Sequence, residues 1–203
     1  MGKDTLEGCK VAILATDGFE QSELTKPKQL LEDAGAATVV IAPGEAAQIK
    51  GWNHGEWGEQ VAVDVPLAKA RAEDYDALVL PGGVMNPDKL RLHDDAVEFI
   101  NAFGETGRPL AAICHGPWTL INANLVRGKR MTSWPTLRAD LENAGALWED
   151  SEVVESDNLI TSRKPDDIPA FTQALIRALQ RDQAAARRNQ PAPSPRDAAG
   201  GFQ

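Results

Sequence analysis

The chain is predicted to be an α/β protein, a three-layer α/β/α sandwich around a mostly parallel sheet with a small β-hairpin insertion. Three observations lead there. Short apolar runs alternate with helical patterns along most of the sequence, the signature of a parallel sheet with helices on both faces. The runs Ala37-Thr-Val-Val-Ile and Ala77-Leu-Val-Leu lack polar alternation, as expected of strands covered on both sides. Between Pro43 and Val65 the pattern changes to Gly, Trp and charged residues before the alternating Val61-Ala-Val-Asp-Val, which reads as a hairpin and not as another βαβ unit.

Taken in order, Lys10 to Ala15 is the first strand, followed by a helix ending near Ala34-Gly35, a strand from Thr38 to Ala42, and the hairpin. A strand at Ala77 to Leu80, a helix from about Asp94 to Phe103 and a strand at Leu110 to Ile113 come next. Gly116 to Asn124 has helical spacing, with Trp118, Leu120 and Ile121. Glu152 to Glu155 and Asn158 to Ser162 are two short strands joined by the turn-like pair Ser156-Asp157. The last helix, from about Asp167 to Arg181, carries Ile168, Phe171, Leu175 and Leu179 on one face, as docking on a sheet requires. Residues 1–182 are therefore read as one domain, and 183–203, rich in Ala, Pro, Arg and Gly, as a disordered tail.

A formal charge of −9 and a pI near 4.9 oppose a general nucleic-acid or anionic-membrane surface, since both partners would be repelled. No basic leader followed by an apolar run is present, and no stretch approaches a membrane span, so a cytoplasmic protein without nucleic-acid or membrane partners is expected. The two cysteines, Cys9 and Cys114, lie in no disulfide framework and are taken as free thiols. Nothing has zinc-ligand spacing, and no metal or cofactor is expected.

Cys114 is the residue to explain. It ends an apolar strand and is followed by His115, Gly116 and Pro117, turn chemistry unsuited to continuing a strand but suited to an exposed elbow. At such an elbow unpaired N–H groups and the positive end of a helix dipole favour an anion, and the thiol pKa is expected to fall below about 8.5. A lone cysteine in an apolar run is otherwise an inert core residue, which is the reading for Cys9.

Sites in open α/β sheets form outside the carboxyl ends of the strands. Glu20, after the first strand, is placed to lend a carboxyl group to the thiol; as a residue at a helix start it is equally satisfied by the dipole alone. Gly82 and Gly83 follow the strand at 77–80, and their N–H groups join that of His115 as candidate oxyanion donors. Among the three histidines, His54 sits in the aromatic insertion and His93 in a charged stretch; His115 adjoins the nucleophile and reaches it once a carboxylate orients its ring.

Together these residues resemble the ThiJ/PfpI family, in its PfpI-like intracellular cysteine protease branch, from about Lys10 to Leu179. The markers are DGFEQSELTKP at 17–27, DALVLPGG at 76–83, AAICHGPW at 111–118, Met131-Thr-Ser-Trp-Pro, NAGALWED at 143–150 and NLITSRKPDDIPAF at 158–171. The resemblance implies a flavodoxin-like sandwich with Cys114 on the nucleophile elbow. It further implies Glu20 hydrogen-bonded to the sulfur, and Gly83 and His115 as oxyanion donors. It places Asp88 where relatives supply a carboxylate to the histidine from a neighbouring subunit, and so implies a homodimer or higher homo-oligomer. Relatives often carry Tyr where this chain has Trp134. The related class I glutamine amidotransferases use a distal histidine, and this chain has none after residue 115.

Three functions follow as expectations. One is a stress-related, glyoxalase- or deglycase-like enzyme in which Cys114 adds to a small reactive aldehyde. The second is a peptidase using Cys114, His115 and Asp88. The third, of another class, is a redox-sensing protein whose thiol is oxidised without turnover.

Overall fold

A computed structural model describes residues 5–189. The described chain is built from β1 (Lys10–Leu14), β2 (Phe19–Glu20), α1 (Gln21–Asp33), β3 (Ala37–Ala42), β4 (Gln48–Asn53), β5 (Glu56–Ala62), β6 (Val65–Pro66), β7 (Ala77–Leu80) and α2 (Met85–Leu90). It continues through α3 (Asp94–Glu105), β8 (Leu110–Ile113), α4 (Pro117–Asn122), β9 (Arg130–Met131), α5 (Arg138–Asn143), β10 (Leu147–Trp148), β11 (Val153–Ser156), β12 (Leu159–Ser162) and α6 (Ile168–Asn189).

The main sheet has seven strands in the order β11-β12-β8-β7-β1-β3-β6. Every neighbouring pair is parallel except β11 with β12, a hairpin that turns at Asp157-Asn158 and not at Ser156-Asp157, because Ser156 still pairs with Leu159. Alternate side chains of each strand serve opposite faces. In β1, Val11 and Ile13 join Leu24 and Leu31 of α1 and Phe171 and Leu175 of α6. Ala12 and Leu14 join Phe99, Ile100 and Phe103 of α3 and Leu120 of α4. Those two cores make the three-layer sandwich, and they explain the unalternating runs in β7 and β8, whose residues are all buried. In β3 only the second half, Val40 to Ala42, is fully covered.

The insertion is a hairpin of β4 and β5, antiparallel, with Trp52 opposite Trp57 and a turn at His54-Gly55. It adds a third strand of its own by pairing β4 with β2, Gly51 beside Phe19 and Trp52 beside Glu20. The Val61 to Val65 stretch is not one strand: β5 stops at Ala62, and Val65-Pro66 joins the edge of the main sheet as β6.

Two readings need correction. The last helix does not stop at Arg181 but runs to Asn189, past the predicted domain end at 182, so 183–189 is helix and not tail. The Ala184–Ala186 run extends an already nucleated helix at low cost, and Arg187 and Arg188 complement its carboxyl end. Gln183 also ties it back, donating to the Glu7 carbonyl at 3.0 Å. The remainder of the predicted tail, 190–203, lies outside the described residues. Among the described residues, no helix is long and apolar enough to cross a membrane.

Chain order reverses at the middle of the sheet: β3 lies on one side of β1, and β7, β8 and β12 on the other. The carboxyl ends of β1, β7 and β8 therefore open at a topological switch point, where ligands bind in open α/β sheets.

Candidate active site

Cys114 follows β8 directly and has φ 61°, a left-handed conformation costly for a residue with a side chain. The neighbouring backbone holds it there from both sides. Its N–H donates to Ser162 O at 3.0 Å, and its carbonyl accepts from Trp134 N at 2.9 Å. Gly116 completes the elbow, because a Cβ there would lie 2.4 Å from the Leu80 carbonyl oxygen. The sulfur is turned into a cleft of about 280 Å³ lined by Glu20, Glu23, Trp52, Gly83, Val84, Cys114, His115, Trp134 and Pro165.

The carboxyl group against the thiol belongs to Glu23, not to Glu20. Glu23 is completely buried, and its Oε2 accepts the Gly82 N–H at 2.9 Å. Its carboxyl group otherwise faces the Cys114 thiol, with which it interacts. Glu20 lies three residues upstream at the helix start, where it accepts from Ser22 Oγ at 3.2 Å and lines the outer cleft. Helical side chains point back toward the amino terminus, so a glutamate inside the first turn of α1 reaches the sheet edge. The spacing Glu20-x-x-Glu23 was the available signal.

Gly82 also differs from expectation. Its N–H is spent on Glu23 and is not a free oxyanion donor. The residue matters sterically: a Cβ would sit 2.6 Å from Glu23 Oε2 and 2.7 Å from Cys114 Cβ. Gly83, at φ 76°, turns its N–H toward the sulfur together with that of His115. Asn86, absent from the predicted site, locks this loop. Its Nδ2 donates to Pro81 O at 2.9 Å and Gly82 O at 3.2 Å, and its Oδ1 accepts from Thr16 N at 2.8 Å.

His115 places Nδ1 3.2 Å from the sulfur without a carboxylate to orient it. Aromatic packing does so instead: its ring stacks on Trp134 (centroids 6.0 Å apart, 23° between planes) and meets Trp118 edge-on at 6.1 Å. Burial lowers its pKa, which keeps the imidazole neutral. Asp88 is exposed on α2, and among the described residues its carboxylate contacts neither His115 nor any other side chain. The structure therefore brings together Cys114, His115, Gly83, Glu23 and, at the mouth, Glu20, but not Asp88.

The expected depression of the thiol pKa is reversed. Burial pushes the Cys114 thiol up and the neighbouring Glu23 charge pushes it further, while the Gly83 and His115 amides pull it back only partly. The helix contributes little because α4 has six residues and Gly116 N–H already serves Ile113 O. Burial likewise pushes Glu23 up to about 8, with the Glu20 charge adding to the rise. Two acids in contact titrate as a pair, and with both raised the pair holds its protons at neutrality. Among the described residues, no three His, Cys, Asp or Glu side chains converge as metal ligands would.

An α/β sandwich presenting a cysteine on a strained elbow at the switch point, beside a buried carboxyl group, defines a class of cysteine-centred proteins. The family model DJ-1/PfpI matches residues 9–178, and the chain belongs to that family. It is 43% identical over 171 residues to the Bacillus subtilis protein named "Putative cysteine protease YraA", covering 84% of this chain and 98% of the relative. It is 41% identical over 175 residues to General stress protein 18 of the same organism, covering 86% and 99%. A two-domain protein from Anabaena variabilis with DJ-1/ThiJ/PfpI-like and ferritin-like domains superposes with a TM-score of 0.79 at 39% identity, covering 84% of this chain and 49% of that one. Schizosaccharomyces pombe DJ-1, at 22% identity and TM-score 0.75, covering 90% of this chain and all of that one (100%), shares the fold.

Proposed function

We propose that the chain is a cytoplasmic, stress-related enzyme acting on reactive carbonyls, with Cys114 as nucleophile and Glu23 and His115 as the groups that move protons. The observation that carries this reading is a fully buried Glu23 carboxyl group against the thiol, opposite an imidazole 3.2 Å from the same sulfur. With methylglyoxal, the thiol passes its proton to the neutral His115 as the sulfur adds to the aldehyde carbon, and the Glu23 proton goes to the carbonyl oxygen, giving a hemithioacetal. The Glu23 carboxylate then removes the proton on that carbon, His115 returns one to the adjacent carbon, and the hydroxyl proton passes to the neighbouring oxygen, leaving a thioester of lactate. Water cleaves the thioester, so one methylglyoxal and one water become one lactate. The Gly83 and His115 amides, which point at the sulfur, are the donors proposed for the oxyanion that forms beside it.

The test is lactate formation from methylglyoxal by the wild type and Cys114→Ser, with a fluorogenic peptide in parallel. Lactate from the wild type alone supports the reading. Peptide cleavage without lactate overturns it in favour of hydrolysis, and oxidation of Cys114 by peroxide with neither product overturns it in favour of redox sensing.

The name of the Bacillus relative favours peptide hydrolysis as the second reading. It requires Asp88 from a second copy of the chain, because within one chain that carboxylate is exposed and does not meet His115. A homo-oligomer belongs to that reading.

A further inference from the structure

The outer wall of the cleft is built for one sign of charge. Among the described residues no lysine or arginine lines it, whereas Glu20 and Glu23 both do. Glu20 takes one hydrogen bond, from Ser22 Oγ at 3.2 Å, and no ion pair among the described residues. Trp52 is its register partner across β2 and β4, so carboxylate and indole stand side by side. Trp57 braces that indole edge-on at 5.4 Å and 85°. Trp134 provides the facing wall, 36% exposed. Deeper in, Glu23 is wholly buried against the thiol.

A cation entering this space meets a carboxylate and two indole rings, the combination that holds ammonium and guanidinium groups. An anion meets the same carboxylate and no compensating positive side chain. We propose that Glu20 and Trp52 are specificity residues that admit electrophiles carrying a positive charge near the reacting carbon and turn away those carrying a negative one. This rests on the reading of Cys114 as the attacking group and names its substrate class. It also favours release of product, since hydrolysis of a thioester creates a carboxylate where anions are repelled.

Charged methanethiosulfonates test it without requiring turnover. The Cys114 sulfur attacks the sulfenyl sulfur, a disulfide forms, and methanesulfinate leaves with the electron pair of the broken S–S bond. Rates are measured by mass spectrometry, mapped to the Cys114 peptide, for the trimethylammonioethyl and sulfonatoethyl reagents, with 2-mercaptoethanol giving the intrinsic ratio. The expected cation-to-anion ratio at Cys114 exceeds that of 2-mercaptoethanol by about tenfold at low salt and shrinks as salt is added. Glu20→Gln removes most of the excess, and Trp52→Leu part of it. A wild-type ratio equal to that of 2-mercaptoethanol, or tilted toward the anion, overturns the proposal, as does an excess that Glu20→Gln leaves intact. Failure of the carbonyl reading shows separately, as absence of lactate from the wild type, and does not alter the labelling ratio.

Discussion

The two cysteines stand at opposite ends of the sheet, equally hidden and chemically different. Cys9 is 3% exposed and Cys114 7%, and burial raises both thiols. Cys9 precedes β1 at its amino end, where burial first, then the Asp76 and Asp182 carboxylates, push it up to about 11. The side chain hydrogen-bonded to that thiol is the neutral amide of Gln183, whereas the cleft opens at Cys114. Cys114 has a buried acid, an imidazole, two amides and a cleft in front of it. The two thiols thus differ in what faces the sulfur and not in how far the sulfur is exposed.

The sharpest way to break that contrast is to remove each thiol in turn. Cys114→Ser is expected to lower kcat/KM for lactate formation by at least about 10³-fold. Cys9→Ala is expected to leave it within about twofold. Next comes the shared proton. Glu23→Gln is expected to cost about 10²-fold in kcat, the range of a lost general acid–base group. Because Glu23 lies near 8 in the folded chain, activity that needs its proton is retained below that pH and falls as pH rises through it, and the variant loses this alkaline limb. Stability follows the same sign. A raised folded pKa contributes most below the unfolded value of about 4.5 and loses its contribution as pH rises to about 8. The urea midpoint of Glu23→Gln should therefore gain on the wild type between those pH values.

Steric closure gives a smaller effect. Gly82→Ala pushes a methyl group between Glu23 and Cys114 and is expected to cost about 1–3 kcal/mol in urea unfolding. Removing the Cys9 sulfur with Cys9→Ala is expected to cost about 1 kcal/mol, measured the same way.

Much of the fold was legible because β1, β7 and β8 are apolar without interruption and the hairpin breaks that pattern. The elbow was legible from its turn chemistry. Glu23 was not, because strand-end logic selects the first carboxylate after the strand, and only the backward tilt of side chains in α1 brings the next one to the sulfur. Asn86 escaped for a related reason: its three hydrogen bonds join Thr16 to Pro81 and Gly82, segments far apart in sequence. The extent of α6 escaped because a polar Ala-Arg stretch looks alike whether solvated as coil or as helix.

The hairpin of β4 and β5 contributes none of the proton-moving groups, yet it supplies Trp52 to the cleft through the two-residue strand β2. On the proposed reading, the share of selection carried by Trp52 is therefore encoded on a stretch of chain apart from the attacking sulfur, whereas Glu20 adjoins α1 and Glu23. Replacing residues within 43–64 offers an evolutionary route, and an engineering one, to new substrate preferences while the sulfur and its proton donor stay as they are.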